Sequence, residues 1–113
     1  MRDLAPEIYR QRLVVEGYPI RPLTADEIKE YLTSLSDVLE MKTLIPPVTH
    51  RSDLYGEAAW IHWESSGAHF YAWDVPRLFF SVDIYTCKRF DPKTAVEFTK
   101  KFFDAKNIEY REF

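Results

Sequence analysis

Three stretches of the chain carry side chains that could do chemistry. The first is Glu64-Ser65-Ser66-Gly67, where two hydroxyls follow a carboxylate in a segment of turn composition. A plain turn explains it equally well. No Ser-His-Asp order surrounds it, and the pattern around Ser65 differs from the nucleophile elbow of hydrolases. The second stretch is Asp83-Ile84-Tyr85-Thr86-Cys87. On a strand, Asp83, Tyr85 and Cys87 share one face, and Val82, Ile84 and Thr86 share the other. An acid, a phenol and a thiol pointing together suit a site better than a core, because an unpaired buried carboxylate is costly. Taken alone, Cys87 also reads as a small buried hydrophobe. The third feature is the histidine set, His50, His62 and His69. His62 and Glu64 at i and i+2, with His69 on a neighbouring strand, could be drawn as a metal site. Two-residue spacing on a strand is no specific metal signature, so hydrogen-bonded histidines are the simpler reading and no metal is expected. Gly-rich phosphate loops, CxxC and HExxH are all missing from the sequence.

The elements that must hold these residues are legible from period and punctuation. Arg10 to Gly17 contains the β-branched run Leu13-Val14-Val15 and reads as a first strand. Thr24-Ala25-Asp26-Glu27 is a capping box, in which the Thr hydroxyl takes an orphan N–H and Glu27 reaches back. Ile28, Tyr31, Leu32, Leu35, Val38 and Leu39 then recur at helical spacing, which predicts an amphipathic helix over 25–39. Met41 to Val48 reads as a strand interrupted by Pro46-Pro47, which belong at an edge or past its end. Thr49 to Gly56 reads as a loop. Ala58 to Trp63 and Ala68 to Trp73 form a hairpin around Glu64–Gly67, and Leu78 to Cys87 is the longest strand. Asp91-Pro92 opens a second helix, with Asp as cap and Pro at the first helical position. Ala95, Phe98, Thr99, Phe102 and Phe103 line one side of it, Asn107 ends it, and Ile108 to Phe113 is a closing strand. This order predicts an α+β two-layer sandwich, an antiparallel sheet with two helices packed on one face. The other face of such a sheet needs a cover, and a second copy is the natural one.

Composition narrows the partners. A chain of 113 residues is one domain, 1–113, and 46% apolar with 29% charged residues is ordinary for a folded protein. The net charge is −3 and no basic stripe is present, so nucleic acid is not an expected partner. Met1 to Arg10 lacks the apolar centre of a signal peptide, and no apolar run is long enough for a bilayer. The single cysteine cannot close an internal disulfide. That fits a reducing compartment, and a cytoplasmic location without membrane partners is expected. Aromatic residues make up 16% of the chain, a density suited to a core, a cleft or a subunit interface.

From about Ala58 to Phe103 the chain resembles the prokaryotic S-adenosylmethionine decarboxylases. The residues that carry the likeness are Glu64-Ser65 at the hairpin tip, Trp73-Asp74, and Val82-Asp83-Ile84-Tyr85-Thr86-Cys87 leading to Asp91-Pro92 and a helix with Ala95. Val82 to Cys87 is the specific part. Before Ala58 only the strand–helix–strand order agrees. The resemblance implies a proenzyme that cuts itself at Glu64-Ser65 and turns Ser65 into an N-terminal pyruvoyl group. That group forms a Schiff base with the α-amine of S-adenosylmethionine and accepts the electrons left by the departing carboxylate, with Cys87 returning a proton to the α-carbon. The implied activity is a lyase step of spermidine and polyamine biosynthesis. The implied assembly is a homodimer, or a dimer of cleaved heterodimers, with sites at the interface. Glu16, Trp73, Asp83 and Tyr85 are candidates for the substrate cleft.

The chain departs from the family pattern in two places. The family carries a histidine directly after the serine and another five residues after it, the second assisting elimination. Counting from Ser65 reaches Ser66 and Phe70; counting from Ser66 reaches Gly67 and Tyr71. Glu64 favours Ser65 as the converted residue, whereas the distance to Trp73 favours Ser66. His69 falls one residue short in the first register and faces away on an ideal strand, which a bulge in the hairpin would correct. Upstream, Glu16-Gly17-Tyr18 stands where the family has Gly-x-His. An uncleaved relative that binds a small molecule, or acts as a regulatory subunit, is the second expectation.

Overall fold

The computed structural model describes residues 1–113. The elements are β1 (Gln11–Tyr18), α1 (Ala25–Val38), β2 (Thr43–Ser52), β3 (Gly56–Trp63), β4 (Ser66–Trp73), β5 (Phe79–Thr86), α2 (Pro92–Phe103) and β6 (Lys106–Glu112). All six strands join one sheet in the order β2-β3-β4-β5-β1-β6, with every neighbouring pair antiparallel. The two helices share one face of this sheet, so the expected two-layer α+β sandwich is the architecture observed.

Alternation along the central strands builds the core. Leu13 and Val15 of β1, Ala59, Ile61 and Trp63 of β3, Ala68, Phe70 and Ala72 of β4, and Phe80, Val82 and Ile84 of β5 all point under the helices. The helices return Ile28, Tyr31, Leu32 and Leu35 from α1 and Ala95, Val96 and Phe103 from α2. Phe70, Phe80 and Phe103 meet with ring centroids 5.0–5.6 Å apart, and Tyr31 closes on Phe70 at 5.3 Å. Each such side chain contributes roughly 1.5–3 kcal/mol when fully buried.

Two buried polar ties fix the helices in register. Thr99 Oγ1 donates to the Ala95 carbonyl, which leaves its oxygen to accept the Tyr31 hydroxyl at 2.7 Å. Burial pushes the Tyr31 phenol well above its ordinary value, so it stays a donor. Ser36 Oγ likewise donates to the Leu32 carbonyl and accepts the Trp63 indole N–H at 2.7 Å. The last residue of β3 is thereby pinned to the last turn of α1.

The edge strand β2 departs from the sequence expectation. Pairing with β3 runs on through Pro46-Pro47 to Ser52, so Thr49 to Gly56 is mostly strand and the turn is confined to residues 53–55. The prolines cost the ladder little because β2 lies at the sheet edge, and its register shifts between Thr43 and Ile45 and again between Ile45 and Val48. At the other end, α2 stops at Phe103 with Asp104 in the left-handed region (φ 47°), ahead of Asn107, and β6 begins at Lys106.

The capping box at α1 is present as expected, with Thr24 accepting from the Glu27 N–H and Glu27 reaching back to the Thr24 backbone. Partial burial works against the Glu27 carboxylate. Hydrogen bonds from Arg21 and from the Thr24 backbone and hydroxyl outweigh it, so the group is held below the usual carboxylate range. A depressed folded-state value means the interaction stabilises above the unfolded-state value, about 4.3 for Glu, and is lost as pH falls through the folded one. Glu27→Gln is therefore expected to lower stability at pH 7, with the difference from wild type shrinking as the pH is taken below about 4. Urea unfolding at a series of pH values checks this, and a gap independent of pH would remove the charge from the account.

Candidate functional site at the serine hairpin

Trp63, anchored on α1, is the last residue of β3, and it pairs with Ser66 across a turn made of Glu64 and Ser65 alone. The Glu64 N–H donates to the Lys42 carbonyl at 2.8 Å, and the Cys87 N–H donates to the Ser65 carbonyl at 2.8 Å. The turn is thus held from both sides by main-chain bonds.

The two serines sit in different surroundings. A directed chain of hydrogen bonds runs from the Lys88 N–H to Thr86 Oγ1, from Thr86 Oγ1 to Ser65 Oγ at 2.9 Å, and from Ser65 Oγ to Met41 Sδ at 3.3 Å. Thr86 is fully buried, so the Ser65 hydroxyl is turned to the helix-covered side and gives its proton to a weak thioether acceptor. Ser66 has φ 131°, a conformation that costs a non-glycine residue roughly 1–3 kcal/mol. Its ladder partners Trp63 and Thr86 belong to the core face, and like the core-face residues Ile61 and Ala68 it also borders a recess on the open one. Gly67 follows for a steric reason: a Cβ there would lie 2.2 Å from the Ile61 carbonyl oxygen.

That recess, about 300 Å3, is lined by Trp60, His62, His69, Asp83 and Tyr85 together with Ser66 and the adjoining backbone. It lies on the sheet face that the helices leave open. Asp83 and Tyr85 do share a face, as expected, and it is this one, where Asp83 meets a partner: Arg12 on β1 grips both carboxylate oxygens at 3.0 and 2.8 Å. Those hydrogen bonds, then the charge of Asp83, raise the Arg12 guanidinium further above its ordinary value. His69 is the direct ladder partner of Asp83. Along β4, His69, Tyr71 and Trp73 follow one another on the open face, with ring centroids 6.1 and 5.8 Å apart.

The remaining candidates fall elsewhere. Cys87 lies one residue beyond β5, is exposed, and does not line the recess. It is joined to the hairpin through its N–H. Glu64 belongs to the turn, with its carboxylate 3.5 Å from Lys42 Nζ, and not to the face of His62. No bulge interrupts β3–β4 or β4–β5, so His69 keeps its open-face position. Glu16 lies two strands from His69 in a shallow hollow with Val14, Glu109, Tyr110, Arg111 and Phe113. Trp73 packs at the far end of β4 with Phe79, Tyr18, Pro76 and Arg77. His50, on the edge strand, takes no part in the recess. No three His, Cys, Asp or Glu side chains converge to hold a metal ion. Arg12 and Met41 were not singled out in the sequence, because cross-strand pairing is invisible in a single chain.

The sequence profile of the family described as S-adenosylmethionine decarboxylase matches residues 11–113. The chain belongs to the S-adenosylmethionine decarboxylase family. No curated protein matches it. Its fold is similar to the crystal structure of the adenosylmethionine decarboxylase from Aquifex aeolicus VF5, at 15% identity and a TM-score of 0.76, over 94% of this chain and 89% of that one. Against the family's pattern, the position after Ser66 is closed to histidine by the Ile61 carbonyl in this hairpin. No helix is long and apolar enough to cross a membrane.

Backbone strain at the tip makes opposite predictions for neighbouring positions. Ser66→Gly should stabilise the protein by about 1 kcal/mol, because glycine adopts positive φ without the Cβ penalty. Gly67→Ala should destabilise it, since the β3 backbone must move to admit the methyl. Urea midpoints of the two variants decide the matter. A destabilised Ser66→Gly would mean that its side chain contributes more than its backbone costs.

Proposed function

We propose that this chain carries out pyruvoyl-dependent decarboxylation of S-adenosylmethionine, a step of polyamine synthesis, after cleaving itself at the serine hairpin. The observation that carries the reading is the 2.8 Å bond from the Cys87 N–H to the Ser65 carbonyl, which joins the chain's single cysteine to the serine pair. The residues fit a pyruvoyl group at the head of β4: a serine next to an open recess, a thiol beside it, and aromatic walls. Such a group supplies the electron sink for carbanion chemistry. Ser66 or Ser65 would be its source, and the β4–β5 ladder would hold it in place.

The chain's own residues account for the other requirements. Cys87 is the candidate proton donor to the α-carbon, exposed and next to the hairpin. Trp60 and Tyr85 offer flat apolar surface to a ligand in the recess, and His62 and His69 offer hydrogen bonds. Arg12 holds both oxygens of Asp83, so this carboxylate serves the recess as a fixed ion pair and not as a free base. A second copy facing the open side would cover Trp60, Tyr71 and Tyr85, which are 37–45% exposed. A homodimer, or a dimer of cleaved heterodimers, is the assembly proposed.

A second reading has its own support. The Ser65 hydroxyl is committed to Thr86 and Met41, and Gly67 leaves no room for the histidine that follows the serine in the family. Both favour an uncleaved, small-molecule-binding member of the family. The intact mass of freshly purified full-length protein, before and after long incubation at neutral pH, separates the two. Two fragments meeting at the serine pair, the second reacting as a ketone, are expected; one unchanged mass in folded, reduced protein would leave the binding reading. In cleaved protein, Cys87→Ala should lower decarboxylation at least a hundredfold while S-adenosylmethionine still binds, in keeping with the ~10²–10⁴ contributed by a positioned acid. Unchanged turnover would remove Cys87 from the chemistry.

A further inference from the structure

We infer, on the reading that the chain cleaves itself, that the nucleophile is Ser66 and the bond broken is Ser65–Ser66, one residue beyond the Glu-Ser junction. Three independent observations converge on this bond. The Ser65 hydroxyl is already engaged on both sides, accepting from Thr86 and donating to Met41, on the covered side of the sheet. Ser66 borders the recess that also holds His62 and His69.

The carbonyls differ as well. Attack by Ser66 falls on the Ser65 carbonyl, whose oxygen accepts the Cys87 N–H at 2.8 Å. That donor polarises the carbon and stabilises the negative charge that attack would place on the oxygen. Attack by Ser65 would fall on the Glu64 carbonyl, which accepts no main-chain hydrogen bond.

The strain selects the same bond. The torsion φ of Ser66, held at 131°, is rotation about its N–Cα bond measured from the Ser65 carbonyl carbon. Breaking Ser65–Ser66 abolishes this torsion and releases its strain, whereas breaking Glu64–Ser65 leaves it in place. Strained backbone of this kind concentrates at reacting positions.

The step balances without an oxidant. Ser66 Oγ bonds to the Ser65 carbonyl carbon, the Ser65–Ser66 C–N bond breaks, and the hydroxyl proton ends on the freed amine, leaving an ester. Loss of the Ser66 Cα proton expels the Ser65 carboxylate and gives an enamine, which shifts to the imine. One water hydrolyses the imine, releases ammonia and leaves the keto group at position 66.

Fragment mapping tests this directly. Full-length wild type, Ser65→Ala and Ser66→Ala are incubated with and without hydroxylamine, which cuts an ester at the residue that forms it, and the new termini are located by mass spectrometry. Near-ultraviolet circular dichroism confirms folding. Wild type and Ser65→Ala are expected to give fragments ending at residue 65 and starting at 66, with at least a hundredfold loss in Ser66→Ala. Termini at 64 and 65, or continued cleavage in Ser66→Ala, would overturn the assignment and leave the decarboxylase reading standing. Wild type that stays whole, even with hydroxylamine, would overturn both. Should Ser65→Ala fail to fold, the termini of the wild type alone still decide between the two serines.

Discussion

Burial of one sheet face and not the other is the constraint on which the molecule depends. Two helices cover the face carrying Trp63, Phe70, Phe80 and Val82, so the residues that alternate with the core set along the central strands face outward. Side chains that a fully covered sheet would have to exclude can then collect on the open side. Asp83 with Arg12, His62, His69 and Tyr85 sit there because their neighbours in sequence are needed in the core. A one-residue slip would exchange the two sets, and the Trp63–Ser36 bond helps to forbid it by fixing β3 against α1.

How much of this could be read beforehand follows from how local each cause is. The capping box at Thr24, the cap at Asp91 with Pro92, and the alternation of β4 and β5 involve residues close in sequence, and the elements built on them appear where expected. The expected loop over Thr49 to Gly56 is strand as far as Ser52, because pairing with β3 extends a polar segment that has no strand pattern of its own. Within the site, the shared face of Asp83 and Tyr85 was legible from the two-residue period. Its openness, and the Arg12 partner that makes Asp83 an ion pair, depend on contacts across 71 residues of sequence. The end of β5 one residue before Cys87 was equally hidden.

The hairpin tip illustrates how close packing limits chemistry. A turn of only two residues brings β3 and β4 together so tightly that the Ile61 carbonyl occupies the space of a Cβ at position 67. Glycine is therefore required next to Ser66, and the strain of the tip falls on the serine itself at φ 131°. Had the glycine stood one position earlier, the strain would vanish and so would the hydroxyl. Sequence comparison alone treats the missing histidine after Ser66 as a substitution. The geometry gives it a cause, since no side chain of any kind fits there without moving β3.

The same tightness bears on where a proton acceptor could come from. An unbroken β3–β4 and β4–β5 register keeps His69 on the open side, away from the Thr86–Ser65–Met41 chain. A base on one side of a sheet cannot serve a hydroxyl held on the other without a bulge or local opening. His62 and His69 therefore lie across the sheet from the Ser65 hydroxyl in this arrangement, while Ser66 borders their recess. The half-buried Ser65 hydroxyl, tied to Thr86 and Met41, is part of the support that holds the turn.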